Sequence, residues 1–378
     1  MKLIHLSDLH IGKRVNDFSM LEDQRYILKR ILEIIDTENP QGVIIAGDVY
    51  DKSVPSAEAV QLFDDFLVRL AKRSLQVFVI SGNHDSAERI AFGNRLMDIS
   101  GIHMSPVYSG NIAPHTLEDE FGRVNIFMLP FIKPANVRPF FEDKEIHTYT
   151  DAVECALSNI DIDTNERNLI VTHQFVTGAS RSESEEVSVG GSDNVEACVF
   201  DAFDYVALGH IHRPQSCMRE AVRYCGTPLK YSFSEADHQK SVTVVELWEK
   251  GKIDIRTVQL IPKRDMREIK GTYDEVTQKE FYEGTNTDDY LHITLTDEED
   301  IPDAMGKLRI IYPNIMKLDY DNTRTRSTGE VGAAENVQRK TPFELFAEFY
   351  ETQNNQPMTD EQAEFITEII EKIWEAEK

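Results

Sequence analysis

Residues 42–51 read GVIIAGDVYD, a short run dominated by valine and isoleucine that passes straight into a Gly-Asp pair and a second aspartate. An apolar run of this length closed by a glycine reads as a buried strand. Four further runs repeat the arrangement. KLIHL (2–6) leads into Ser7, Asp8, Leu9 and His10; QVFVI (76–80) into Ser81, Gly82, Asn83, His84 and Asp85; NLIVT (168–172) into His173; and YVALG (205–209) into His210, Ile211 and His212. In α/β sheets ligands bind beyond the carboxyl ends of the strands, so all five runs place polar donors at the same edge. A lone aspartate after a strand is usually a turn or cap residue, and a lone histidine is usually structural. Five such placements, in order, are not accounted for in that way.

Working outward, NIFML (125–129), VTVVELW (242–248) and IDIRTVQL (253–260) extend the strand pattern, and residues 1–262 read as one α/β domain. Residues 263–320 form a smaller α+β unit: strand-like MREIK, helical DEVTQKEFY, strand-like YLHITL, helical PDAMGKLRII and strand-like IMKLDY. Residues 321–340, DNTRTRSTGEVGAAENVQRK, have linker composition. Residues 341–378 read as two helices, started by Thr341, Pro342 and Glu344 and by a Thr359/Gln362 capping box. In the second helix Phe365, Ile366, Ile369, Ile370, Ile373 and Trp374 make one apolar stripe, and the preceding linker favours docking on a separate partner.

The 378 residues carry 40 Lys+Arg and 66 Asp+Glu, so 40 − 66 = −26. With 41% hydrophobic and 28% charged residues the chain is globular and long enough for two or three domains. Charges at the start deny it the apolar centre of a signal peptide, and no run reaches the roughly 20 apolar residues of a membrane span; the expected location is the cytoplasm, at the nucleoid. The four cysteines, Cys155, Cys198, Cys217 and Cys225, form no CxxC and indicate neither a disulfide framework nor a zinc ribbon. The acidity alone argues against a nucleic-acid partner. It is uneven, however: residues 1–100 hold 12 basic and 15 acidic side chains, whereas 341–378 hold Lys372 and Lys378 against ten acids.

Imidazoles, carboxylates and an amide without a thiolate make a mixed N/O site suited to manganese, iron or zinc. The donors oversupply one ion, so two are expected, with Asp48 as the bridge. In D-x-H and H-x-H alternate residues aim at one pocket when the backbone is extended. Two such ions hydrolyse phosphoesters, and a nearby imidazole can protonate the leaving alkoxide. Cations follow the motifs: Lys13, Arg14, Lys52, Arg89, Lys133, Arg181, Arg213 and Lys230. Of these, Lys13, Arg14, Lys52, Arg89, Arg181 and Arg213 are the expected DNA contacts, since phosphate binding needs local rather than global positive charge.

The set DLH, GDVYD, GNHD, an isolated TH and GHIH resembles the calcineurin-like metallophosphoesterase superfamily. SDLHIGK (7–13), GDVYDKSVPS (47–56), FDYVALGHIHRPQ (203–215) and CGTPLKYSFSE (225–235), with the small α+β unit and the terminal helices, resemble its SbcD-type DNA-repair nuclease branch over essentially the whole chain. The resemblance implies a two-sheet β-sandwich flanked by helices, a small α+β capping domain that binds DNA, and a C-terminal helical pair. It places Asp8, His10, Asp48 and His212 on one divalent ion and Asp48, Asn83, His173 and His210 on the other. His84 then protonates the leaving group, Asp85 orients it, and Asp51 stands behind the ligands without an assigned role. Manganese is the implied ion, with Mg2+, Fe2+ and Zn2+ also compatible. The implied activities are double-strand exonuclease and single-strand or hairpin endonuclease action on DNA ends and hairpins, in end processing, recombination and replication. The implied partners are an SbcC ATPase, whose coiled coil residues 341–378 would grip, and a second copy of the chain paired through helices near 56–73, giving a heterotetramer. No G-x-x-x-x-G-K-[ST] loop occurs, so no nucleotide site is expected in this chain. The superfamily motifs leave open a phosphomonoesterase or cyclic-nucleotide phosphodiesterase, and a non-catalytic scaffold is the remaining alternative, although no donor position is degraded.

Overall fold

A computed structural model describes residues 1–182, 185, 193–322, 325, 342–354, 358–359, 361–363, 365–367 and 369–370. Most of the expected linker, the Thr341 cap, and Ile373 and Trp374 of the terminal stripe lie outside the described residues. The chain divides into two compact units. The first comprises Met1–Lys270, Asp274–Ile293 and Asp303–Leu318, and the second Gly271–Tyr273, Thr294–Pro302 and Asp319–Lys378.

Two six-stranded sheets build the first unit. One has the spatial order Ile253–Gln259, Ser241–Leu247, Lys2–Leu6, Gly42–Ala46, Gln76–Ile80, Ile102–Met104. The other runs Gln215–Cys217, Arg219–Tyr224, Tyr205–Leu208, Arg167–Thr172, Gly122–Leu129, His115–Asp119. In the first sheet Lys2–Leu6, Gly42–Ala46, Gln76–Ile80 and Ile102–Met104 are parallel, and in the second Arg219–Tyr224, Tyr205–Leu208, Arg167–Thr172 and Gly122–Leu129 are, so the carboxyl ends of each set share an edge.

Alternation along the strands sorts the apolar side chains into three layers. Leu3, Ile44, Phe78 and Ile80 pack against Val124, Ile126, Leu169, Val171 and Ala207 between the sheets. On the outer face of the first sheet, Ile4, Leu6, Val43, Ile45 and Val77 meet α1 (Leu21–Glu38) and α2 (Ala57–Ala71). On the outer face of the second, Phe127, Leu129, Ile170 and Val206 meet the helix Tyr149–Ser158, whose Thr148/Asp151 capping box satisfies two backbone amides. The expected sandwich flanked by helices is therefore found. Helix α2 starts where Ser56 Oγ accepts from Ala59 N, and it turns Phe63, Phe66, Leu67 and Leu70 into the core.

The first unit continues past residue 262. Arg264 donates to the buried Asp23 carboxylate at 2.7 Å, the Tyr290 hydroxyl donates to the same oxygen at 2.7 Å, and Met266, Tyr290 and Met316 join the cluster beneath α1. Within the second unit Tyr273 N donates to Asp297 Oδ2 and Asn322 Nδ2 to Asp297 O. The same unit holds the helix Pro342–Asn354, and Thr359 and Gln362 form the expected capping box, each backbone amide donating to the other's side chain. No helix among the described residues is long and apolar enough to cross a membrane.

Candidate metal centre

The parallel strands of both sheets end at one edge, and there the chain turns sharply toward the gap between the sheets. Asp8, His10 and Asp48 have φ of 52, 44 and 47°, and His210 has 100°. The extended D-x-H and H-x-H geometry expected from the sequence is thus replaced by left-handed backbone, at a cost of about 1–3 kcal/mol per residue. The turns hold because neighbouring loops bond to each other: Asp8 N donates to Gly47 O, His10 N to Asp48 O and Ile11 N to Val49 O. Close approach also demands glycine. A Cβ on Gly209 would lie 1.9 Å from Ala46 O, and one on Gly82 would lie 2.1 Å from Asp48 Oδ1.

These turns bring all seven expected ligands together. Donor atoms of Asp8, His10 and His212 lie within 4.8 Å of one another, as do those of Asp8, Asp48 and His173. His173 Nε2 is 3.3 Å from Asp48 Oδ2 and 3.0 Å from Asn83 Oδ1, which is itself 2.9 Å from His210 Nδ1. His10 Nε2 and His212 Nε2 face each other at 3.2 Å. His84 stands edge-on to His10 and is the most exposed of these imidazoles, at 23%, with Nε2 3.9 Å from Asp48 Oδ2. His10, Asp48 and His84 form a third close group.

The electrostatics match this crowding. Burial raises the Asp8 carboxyl to about 6, the Asp48 charge adding to it. Burial also pushes Asp48 upward, but the His173, His10 and His84 imidazoles prevail and hold it far below the usual carboxylate range. In return Asp48 overcomes burial at His173 and raises it to about 9, while burial and His173 lower His210 to about 3.

The residues present fit divalent cations. His173 Nδ1–H donates to Ala46 O at 2.8 Å, and His212 Nδ1 meets Glu235 Oε1 at 3.1 Å. Each bond directs the other ring nitrogen's lone pair into the cluster, the orientation a metal-ligating histidine needs. The donor set is imidazole, carboxylate and amide, in keeping with N/O-preferring ions.

Asp85, expected to orient His84, does something else. Its oxygens accept from Val49 N, Tyr50 N and Gly82 N at 2.9–3.0 Å, tying together the loops that carry Asp48 and Asn83. Burial raises its carboxyl to about 6, with Asp48 adding and the amide bonds opposing. Asp51 forms an ion pair with Lys13 at 2.7 Å, and Arg181 pairs with Asp193 at 2.8 Å, so two of the six expected DNA-contacting cations are already engaged. Arg14, Lys52, Arg89 and Arg213 are exposed.

Sequence reasoning missed the support behind His212. Glu235 and Lys240 are buried, Lys240 Nζ donating to Glu235 Oε2 at 2.6 Å, to Thr227 Oγ1 at 2.7 Å and to His212 O at 2.9 Å. Buried Glu185 accepts from His212 N at 2.7 Å. Removing one partner of a buried ion pair strands the other's charge. Lys240→Met is therefore expected to lower unfolding stability by about 3–5 kcal/mol in urea titration, and the double variant Glu235→Gln/Lys240→Met by less.

Residues 1–214 match the family model described as calcineurin-like phosphoesterase, and residues 262–354 match one described as type 5 capsule protein repressor C-terminal domain. The SbcD subunit of the SbcCD nuclease of Staphylococcus epidermidis is 32% identical over 100% of both chains. Its namesake from Staphylococcus saprophyticus is 33% identical over 99% of each.

Proposed function

The chain belongs to the calcineurin-like phosphoesterase family and, within it, to the SbcD subunits of SbcCD nucleases, and from that premise we propose that it hydrolyses DNA phosphodiesters with two divalent cations, manganese being the expected pair. The supporting observation is the convergence of Asp8, His10, Asp48, Asn83, His173, His210 and His212 from two sheets at one edge, with the more exposed His84 beside them. When bound, the cations supply positive charge to the phosphate oxygens and a nucleophile at neutral pH. Asp48, flanked by both donor sets, would be the carboxylate that holds both cations. His84 is fixed by its own backbone amide, which donates to Asp48 Oδ1 at 2.9 Å, and its imidazole delivers a proton to the leaving alkoxide. Two divalent cations outweigh the charges of Asp8 and Asp48, so the cleft attracts phosphate although the whole chain carries −26.

The finer reading is a double-strand exonuclease that also opens single strands and hairpins. Purified protein with Mn2+ is to be offered a linear duplex, a hairpin and a small phosphate monoester. Cleavage of the ester alone would rule out the nuclease and favour a phosphomonoesterase.

A cation must displace the His173 proton. That ring is raised to about 9, so it is protonated below that pH and a free donor above it. Apparent Mn2+ affinity should therefore climb from pH 6 to 9, by up to about tenfold per unit, with proton release on binding. Calorimetric titrations at several pH values check this, and a flat profile would contradict it.

We also assign residues 341–378 to docking on an SbcC-type ATPase. In that tail Phe349 and Phe365 are 60 and 62% exposed. Deleting 341–378 should abolish co-purification with the ATPase and leave basal nuclease activity intact. A homodimer is the companion proposal. The phenylalanine and leucine side chains of α2 are spent on the core, although Val60 and Val68 are 44 and 43% exposed; Phe92, Leu96 and Ile99 are 81, 76 and 85% exposed, and this is the pairing face we propose in place of α2. Light scattering of the full chain and of Phe92→Glu reads this out, a wild-type monomer counting against it.

A further inference from the structure

Next to the metal centre is a cavity of about 90 Å³ lined by Asn83, His210, Phe131, Tyr149, Phe175, Lys133 and Asp193. The nuclease reading uses Asn83 and His210 and leaves the other five without a task. Phe131 lies parallel to His210 with ring centres 6.4 Å apart and edge-on to His173 at 6.2 Å, and Tyr149 is 6.4 Å beyond it. Tyr149 and Phe175 rest on the core behind the second sheet, yet all three rings are only half-buried and turn surface to the cavity. The Arg181 guanidinium stacks 3.5 Å over Phe175 and pairs with Asp193 Oδ2, and Lys133 Nζ lies 5.8 Å over Phe131. Asp193 itself is 7% exposed, and among the described residues its Oδ1 has no hydrogen-bond partner. A buried acceptor left unmatched in a cavity of aromatic rings asks for a flat ligand that carries a donor.

We propose that this cavity is a nucleobase subsite, in which a base flanking the scissile phosphate stacks on the Phe131, Tyr149 and Phe175 rings and gives its exocyclic amine to Asp193 Oδ1. Lys133, exposed at the cavity, meets the adjoining phosphate. Base–aromatic stacking tolerates any base, and the carboxylate adds a preference for those bearing an amino group. The subsite deepens the nuclease reading and rests on it for its substrate. It places one base within reach of the metal-bearing edge, which suits a frayed end or an unpaired hairpin nucleotide better than an intact duplex.

The test is calorimetric titration of the full chain, with Mn2+ present, by dCMP, dTMP and deoxyribose 5-phosphate. We expect dCMP to bind about 5- to 150-fold more tightly than deoxyribose 5-phosphate and more tightly than dTMP. Tyr149→Ala and Phe175→Ala should each remove much of the gain over deoxyribose 5-phosphate while leaving affinity for that sugar phosphate unchanged. Asp193→Ala should bring dCMP and dTMP together. Equal wild-type affinity for dCMP and deoxyribose 5-phosphate overturns the proposal, as do variants that lose both ligands alike. Duplex cleavage measured in parallel keeps the two readings apart. Base preference without cleavage supports the subsite and removes the nuclease; cleavage without base preference does the reverse.

Discussion

His84→Gln is expected to slow DNA cleavage by about 10²- to 10⁴-fold, the usual contribution of a positioned general acid, while the protein takes up as much metal as the wild type. Glutamine keeps an amide and much of the volume but cannot deliver a proton to an alkoxide. The anchoring bond is made by the backbone amide of residue 84 to Asp48 Oδ1, so it survives the change. The ring is also the most solvent-open of the cluster, so its loss leaves no large void. Metal content per chain and single-turnover cleavage are the two measurements. A variant that loses one cation would show that His84 is a ligand, a reading its 3.9 Å approach to Asp48 keeps within geometric reach.

Asp48→Asn should be more damaging. On the proposed two-cation reading that carboxylate would be shared by both donor sets, so metal content is expected to fall from two ions per chain toward none and cleavage to drop to background. The protein itself should weaken too. Because Asp48 is held far below its ordinary range, its charge contributes stability at every pH above the unfolded carboxylate value of about 4, and that contribution fades as acid protonates it. Asparagine removes this and leaves the His173 imidazole without its counter-charge, a loss of about 3–5 kcal/mol for a broken buried pair. Urea titrations at pH 7 and at about pH 2.5 distinguish the two effects: the gap between wild type and variant should hold down to about pH 4 and shrink only below it. An equal gap at both pH values would mean that shape rather than charge is what position 48 supplies.

The strands that carry the donors were legible because each is a short β-branched run ending in glycine or a polar motif, and all of those runs are strands. The polar edge strand His115–Asp119 and the strand Arg219–Tyr224, one in from the opposite edge, were not, since HTLED and REAVRY carry too little apolar patterning to stand out from loop sequence. The donors themselves could be read from repeated placement at strand ends. Their backbone could not: spacing says nothing of φ, and the left-handed turns at Asp8, His10 and Asp48 go with two loops pairing across the edge, while the His210 amide is held by the Asp8 carboxylate at 3.0 Å. Glu235, though it closes the quoted CGTPLKYSFSE run, and Lys240 escaped because their ties to His212 span 23 and 28 residues; only the fold brings them under that ring. The orienting role of Asp85 was implied by the family resemblance alone, and its oxygens are taken by the amides of Val49, Tyr50 and Gly82 instead.

The first strand, Lys2–Leu6, lies between Gly42–Ala46 and Ser241–Leu247. During synthesis one side of it has no partner until 241 − 6 = 235 further residues have left the ribosome, roughly 10–50 s at about 5–20 residues per second. Over that interval the ligands arrive in instalments: Asp8, His10, Asp48 and Asn83 first, His173, His210 and His212 only later. A nascent chain therefore carries a half-set of metal donors beside an open sheet edge; the donors are complete only at His212, past the midpoint of the polypeptide, and the edge only when the strand from Ser241 exists, nearly two thirds of the way along.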